Sequence, residues 1–84
     1  MAHFALIKNG VVVEINVINN ADCGGGEFPE SEPIGQEFIK SLGIAGEWRQ
    51  TSFNANFRGK YAGVGDRYDE ILDEFVSPIT EVVE

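Results

Sequence analysis

Hydrophobic positions divide this chain into an apolar hairpin, one stripe at helical spacing, a short alternating strand, and a final pattern that fits either a helix or a hairpin. From Phe4 to Ile18, two apolar runs flank Asn9-Gly10, a strong short-range signal for a hairpin with a type I′ turn. A two-residue loop sets Lys8 opposite Val11, Leu6 opposite Val13 and Phe4 opposite Ile15. Those six residues, extended by Val17, then share the face expected to be core. Ala5, Ile7, Val12, Glu14 and Asn16 line a mixed face expected to be partly wet.

Asn19 to Pro29, with its paired Asn, three consecutive Gly and a Pro, has no regular pattern and reads as a loop. Ser31 is placed to cap a helix that has Glu32, Pro33 and Glu37 early in it, and Ile34, Phe38 and Leu42 follow at i, i+4 and i+8 as its apolar stripe. Gly43 is a good stop. Gly35 lowers helix propensity by about 1 kcal/mol relative to Ala, so tertiary packing must hold this helix.

Glu47 to Phe53 alternates as a strand, with Trp48, Gln50 and Ser52 on one side and Arg49, Thr51 and Phe53 on the other. Asn54 to Gly65 follows as a long ordered loop. Phe53, Phe57 and Tyr61 are spaced by four, as on a helical face, but Gly59 and the Asn residues favour a loop whose rings plug into the body. Over Arg67 to Val76, a helix would put Asp69 beside Asp73 and Glu70 beside Glu74, two like-charge pairs. A hairpin with the loop Glu70-Ile71-Leu72-Asp73 instead sets Tyr68 opposite Phe75 and Asp69 opposite Glu74, and is the favoured reading. Ser77-Pro78 ends it. The fold class expected is α+β: one small domain over residues 1–78, ordered hairpin, helix, strand, hairpin (β-β-α-β-β-β). Residues 79–84 form a tail, either frayed or docked on a neighbouring chain.

Eighty-four residues bury a small share of their surface, so assembly into a homo-oligomer is the expected source of extra stability. Cys23 is the only cysteine and has no disulfide partner within the chain. The opening MAHFALIKNG lacks the pattern of a signal peptide, and no apolar run approaches the roughly 18 residues that span a bilayer, so a soluble protein with no membrane partner is expected. The formal net charge is -8, yet residues 48–67 hold four of the six cations, Arg49, Arg58, Lys60 and Arg67, against Asp66 alone. A body so acidic repels phosphate backbones at long range, which makes nucleic acid an unlikely partner.

Candidate chemistry is sparse. Asp69, Glu70, Asp73 and Glu74 lack the spacing of a calcium loop and read as a solvated acidic turn. Gly59 to Gly65 lacks the order of a phosphate-binding loop, so its glycines read as turn formers. His3 and Cys23 each stand alone, and a zinc site or a nucleophile with its base would want more partners. No catalytic residue, metal site or cofactor is expected. Trp48, Phe53, Phe57 and Tyr61 interleave with Arg49, Arg58, Lys60 and Arg67, a combination that suits single-strand binding by stacking but here reads first as packing or a protein interface.

The segment from Trp48, through Gln50-Thr51-Ser52-Phe53-Asn54, Arg58 and Tyr61-Ala62-Gly63-Val64-Gly65, to Tyr68-Asp69, Asp73 and Phe75 resembles a group of small proteins and modules of undefined function from tailed phages of marine cyanobacteria. MAHFALIKNGVVVEINVINN and EFPESEPIGQEFIKSLG are similar to the same group, so nearly the whole chain is covered. In longer members the Tyr-Asp-x-x-x-Asp-x-Phe turn leads into a segment rich in Pro and aromatics, whose role is not carried over. The resemblance implies a phage origin and assigns no catalytic residue. With the charge reversal, it leads to the expectation of a non-enzymatic virion protein, a capsid decoration or tail-associated component that contacts other capsid or tail proteins. The alternatives are a binding protein that engages a host factor in the cytoplasm and, third, a single-stranded nucleic-acid binder.

Overall fold

The computed structural model describes residues 2–77. β1 (Ala2–Lys8) and β2 (Val11–Ile18) form the first hairpin, followed by α1 (Ser31–Ser41), β3 (Glu47–Thr51), β4 (Arg67–Asp69) and β5 (Glu74–Val76). All five strands lie in one antiparallel sheet of order β3-β1-β2-β4-β5, so the α+β architecture and the order of elements agree with the sequence pattern. The tail at 79–84 lies outside the described residues.

Asn9 and Gly10 both have positive φ, 54° and 77°, as a type I′ turn requires. Lys8 faces Val11 as expected. The register then shifts between Leu6 and Ile7, so that Ile7 pairs with Val12 but Leu6 with Glu14 and Phe4 with Asn16. Phe4 and Leu6 are core as expected, but this bulge at Val13 overturns the expected core face along β2. Val13 and Val17 are exposed, whereas Ala5, Ile7 and Val12, assigned to the wet face, are buried.

Both faces of β1 are therefore covered. On one face, Ala2, Phe4, Leu6 and Ile18 pack with Cys23, Ile39 and Trp48 under α1. On the other, Ala5, Ile7 and Val12 pack with Ala62, Tyr68 and Phe75. The helix face also differs from the expected stripe, because Ser31, Gly35 and Ile39 are buried while Ile34 and Leu42 are exposed and Phe38 is only partly covered. Gly35 explains the rotation: a Cβ there would lie 2.8 Å from Phe4 Cε1 and 3.0 Å from Cys23 Sγ, and closer still to Phe4 Cζ. The helix approaches the sheet through its small residues, and its larger side chains flank the contact. Ser31 does not cap the helix; its hydroxyl donates to Gln50 Oε1 at 2.7 Å, and Glu30 takes the cap position without a side-chain bond.

Strand β3 alternates as its sequence indicates, with Trp48 and Gln50 toward α1 and Arg49 and Thr51 toward the second core. The last hairpin forms in the expected register, Tyr68 opposite Phe75 and Asp69 opposite Glu74. The rings of that pair lie 5.3 Å apart. No helix forms over residues 52–66; that segment is a loop held by specific bonds.

Candidate functional site

Arg58 is the centre of the loop, and it is buried, 9% exposed, in place of the outward cation that the charge pattern implies. Its guanidinium is paired with the Glu32 carboxylate on α1 through both terminal nitrogens, donates to the Gln50 carbonyl on β3 at 2.9 Å, and donates through Nε to Asp73 Oδ1 at 2.8 Å. Phe28 and Tyr68 sit over it at 4.9 and 5.9 Å. Its backbone carbonyl meanwhile accepts from Phe75 N–H on β5 at 2.9 Å. β3 and β5 are the two outer strands, so a single residue covers an edge of each. With Gln36 Nε2 on the Trp48 carbonyl at 2.6 Å and Glu32 on Gln50 N–H at 2.7 Å, polar groups of the β3 edge are occupied by side chains.

Electrostatics follow from this clasp. Burial alone would lower the Arg58 pKa, but the hydrogen bonds and charges of Glu32 and then Asp73 outweigh it and raise the value. Burial would raise Asp73, yet hydrogen bonds from Tyr68 and Arg58, with the Arg58 and Arg49 charges, hold its carboxyl below the ordinary range. Tyr68, first through burial and then through its bond to Asp73, is pushed up to about 12. Asp73 is thus engaged by the fold, and Asp69 Oδ1 accepts from Ile71 and Leu72 N–H at 2.9 and 3.1 Å.

The rest of the loop is tied down in the same manner. Thr51 Oγ1 accepts from Ala62 N–H at 2.8 Å, Asp66 accepts from Gly63 N–H at 2.8 Å, and Gly65 N–H donates to the Val12 carbonyl at 2.8 Å. Gly59 and Gly65 have φ of 81° and 98°, the backbone shape for which glycine is suited. Lys60 is paired with Asp66 at 2.8 Å and donates to Ser77 Oγ at 3.1 Å.

The eight residues singled out in the sequence therefore do not form one patch: two are buried, four are partly covered and two are exposed. Trp48, 4% exposed, and Arg58 belong to the interior and do not form a contact patch. Phe57 stacks on Phe28 at 3.9 Å, and Arg49 lies over Tyr68 at 5.0 Å with a bond to Glu47. Arg67 is exposed. Phe53, 64% exposed, does not plug into the body; it stacks on His3 at 5.4 Å, and Tyr61 meets both rings at 5.3 and 5.6 Å. His3, half-buried like Tyr61, pairs across the sheet with the exposed Val17, so three rings and a valine share one surface.

Sequence reasoning missed Glu32 as the partner of Arg58 and His3 as a member of the ring patch, because neither is near its partners in the chain. His3 and Cys23 lie on opposite faces of β1, Cys23 being buried beneath α1. Among the described residues no group of three or more His, Cys, Asp or Glu is arranged to hold a metal ion, and no helix is long and apolar enough to cross a membrane. No protein-family model matches the chain, and neither a curated protein nor a solved structure matches it significantly.

Proposed function

We propose that this protein is a non-enzymatic structural component of a phage virion, a capsid decoration or tail-associated part that acts by docking on other polypeptides. The observation that carries the reading is the ring patch of His3, Phe53 and Tyr61, presented beside Val17 on a body of net charge -8. Phe53 is the exposed ring of the three, and an exposed aromatic flanked by others is a characteristic centre of a protein interface. Arg58 and Tyr68, whose acidity the fold shifts, both bond to Asp73, whose acidity is shifted in turn, an arrangement that suits a clasp.

In this reading Phe53 and Tyr61 form the apolar centre, Arg49 and Arg67 supply cations toward acidic groups on the neighbour, and Trp48 and Arg58 hold the patch in place. The virion setting rests on the resemblance read in the sequence, which no comparison bears on. Repetition on a particle multiplies a weak contact, and binding in turn stabilises a small fold; a homo-oligomer would serve both ends.

Mass spectrometry of purified particles tests the proposal. The protein is expected in high copy in virions and late in expression. Early synthesis with absence from particles would overturn the virion reading in favour of a host-factor binder.

A further inference from the structure

We propose that the Glu70–Asp73 turn is a second recognition element, which inserts Ile71 and Leu72 into an apolar pocket rimmed by lysines or arginines on another protein. This goes beyond the ring patch and stands or falls separately from it.

Ile71 is 95% exposed and Leu72 62% exposed, so the fold gains almost nothing from Ile71. Turn positions ordinarily carry small or polar residues, and two adjacent large aliphatics at a hairpin tip break that local rule without a structural return. Their presentation is nonetheless fixed at both ends. Asp69 accepts from both aliphatic residues' N–H groups, while Asp73 is held by Tyr68 and Arg58. A tip ordered before binding loses little conformational freedom when it docks.

Charge selects the class of partner. Asp69, Glu70, Asp73 and Glu74 surround the aliphatic pair, and Arg58 is the only cation paired with a carboxylate of this turn among the described residues. An anionic lipid surface is therefore the wrong target for these side chains. A second copy meeting this turn with its own is disfavoured, because each would bring Asp69, Glu70, Asp73 and Glu74 against the same acids. An apolar pocket with a cationic rim satisfies both the aliphatic tip and its acids.

The test uses the protein in the cells that produce it, with a benzoyl-phenylalanine in place of Leu72 and, as control, in place of exposed Lys8. Illumination is expected to yield an adduct with a different protein from position 72 only. With that protein purified, Ile71→Asp, which adds a charge of the existing sign, is expected to weaken binding about tenfold or more, and rising salt to weaken it further. Phe53→Ser is expected to leave this affinity unchanged. No adduct above the control, an adduct of two copies of this chain, affinity indifferent to Ile71→Asp, or affinity indifferent to salt would each overturn the proposal. Presence of the protein in virions is measured independently, so failure here leaves the ring-patch reading intact.

Discussion

Replacing Arg58 by Met should cost the protein a large part of its stability, and the structure sets the scale. The side chain is 5% exposed and its main partner, Glu32, 14% exposed, so the variant leaves a carboxylate in a largely dry site. Removing one partner of a buried pair costs about 3–5 kcal/mol. The Asp73 side chain is 54% exposed, and its share adds at most about 1 kcal/mol. Against this, a chain of 84 residues at roughly 0.05–0.15 kcal/mol per residue has about 4–13 kcal/mol in all. Arg58→Lys keeps the charge but cannot bond Glu32, Gln50 and Asp73 in one planar fork, so a smaller loss of about 1–3 kcal/mol is expected. The double variant Arg58→Met with Glu32→Leu should recover part of the loss, because the orphaned carboxylate is gone. Urea unfolding followed by the fluorescence of Trp48, the only tryptophan, measures all three. A midpoint for Arg58→Met within about 1 kcal/mol of the parent chain, or no recovery in the double variant, would refute the clasp.

Gly35→Ala gains up to about 1 kcal/mol of helix propensity but drives a methyl into Phe4, at a cost of about 1–3 kcal/mol, so a net loss is expected in the same assay. Cys23, buried beneath that contact, should then react faster with an alkylating reagent, and an unchanged rate would show that the contact does not seal the core. The raised Tyr68 pKa adds stability that is complete below the ordinary tyrosine value and lost as pH rises toward about 12; Tyr68→Phe should remove that alkaline limb from melting curves. The depressed Asp73 pKa adds stability that is complete above the ordinary carboxyl value and is lost as pH falls from there through the lower folded value, and Asp73→Asn should remove that acidic limb. Phe53→Ser should change stability by no more than about 0.5 kcal/mol, since the ring is exposed, and a larger change would mean that the patch belongs to the fold.

Local chemistry was legible in the sequence. Asn9-Gly10 announces its turn, the alternation read over Glu47 to Phe53 sorts its side chains correctly as far as Thr51, where the strand ends, and like-charge spacing over Arg67 to Val76 argues for the hairpin that forms. What failed were inferences that depend on close approach or on partners distant in the chain. A single extra residue at Val13 reverses the faces beyond it, and no feature of VVVEINV marks that position. Hydropathy selected Ile34 and Leu42 for the helix interface, but the contact is set by how near α1 can come, which favours Ser31 and Gly35. The charge pattern alone places Arg58 among the surface cations, because its partner, Glu32, is 26 residues away on a helix whose orientation local sequence does not set. The ring patch was visible in part, through Phe53 and Tyr61, and its third ring was hidden at the start of β1.

The most direct measurement is the occupancy of this protein on purified particles when Phe53 and Tyr61 are both changed to Ser, with circular dichroism showing that the variant remains folded. Docking through those rings predicts that the parent chain is present in high copy and the variant nearly absent. Equal occupancy of the two would contradict it.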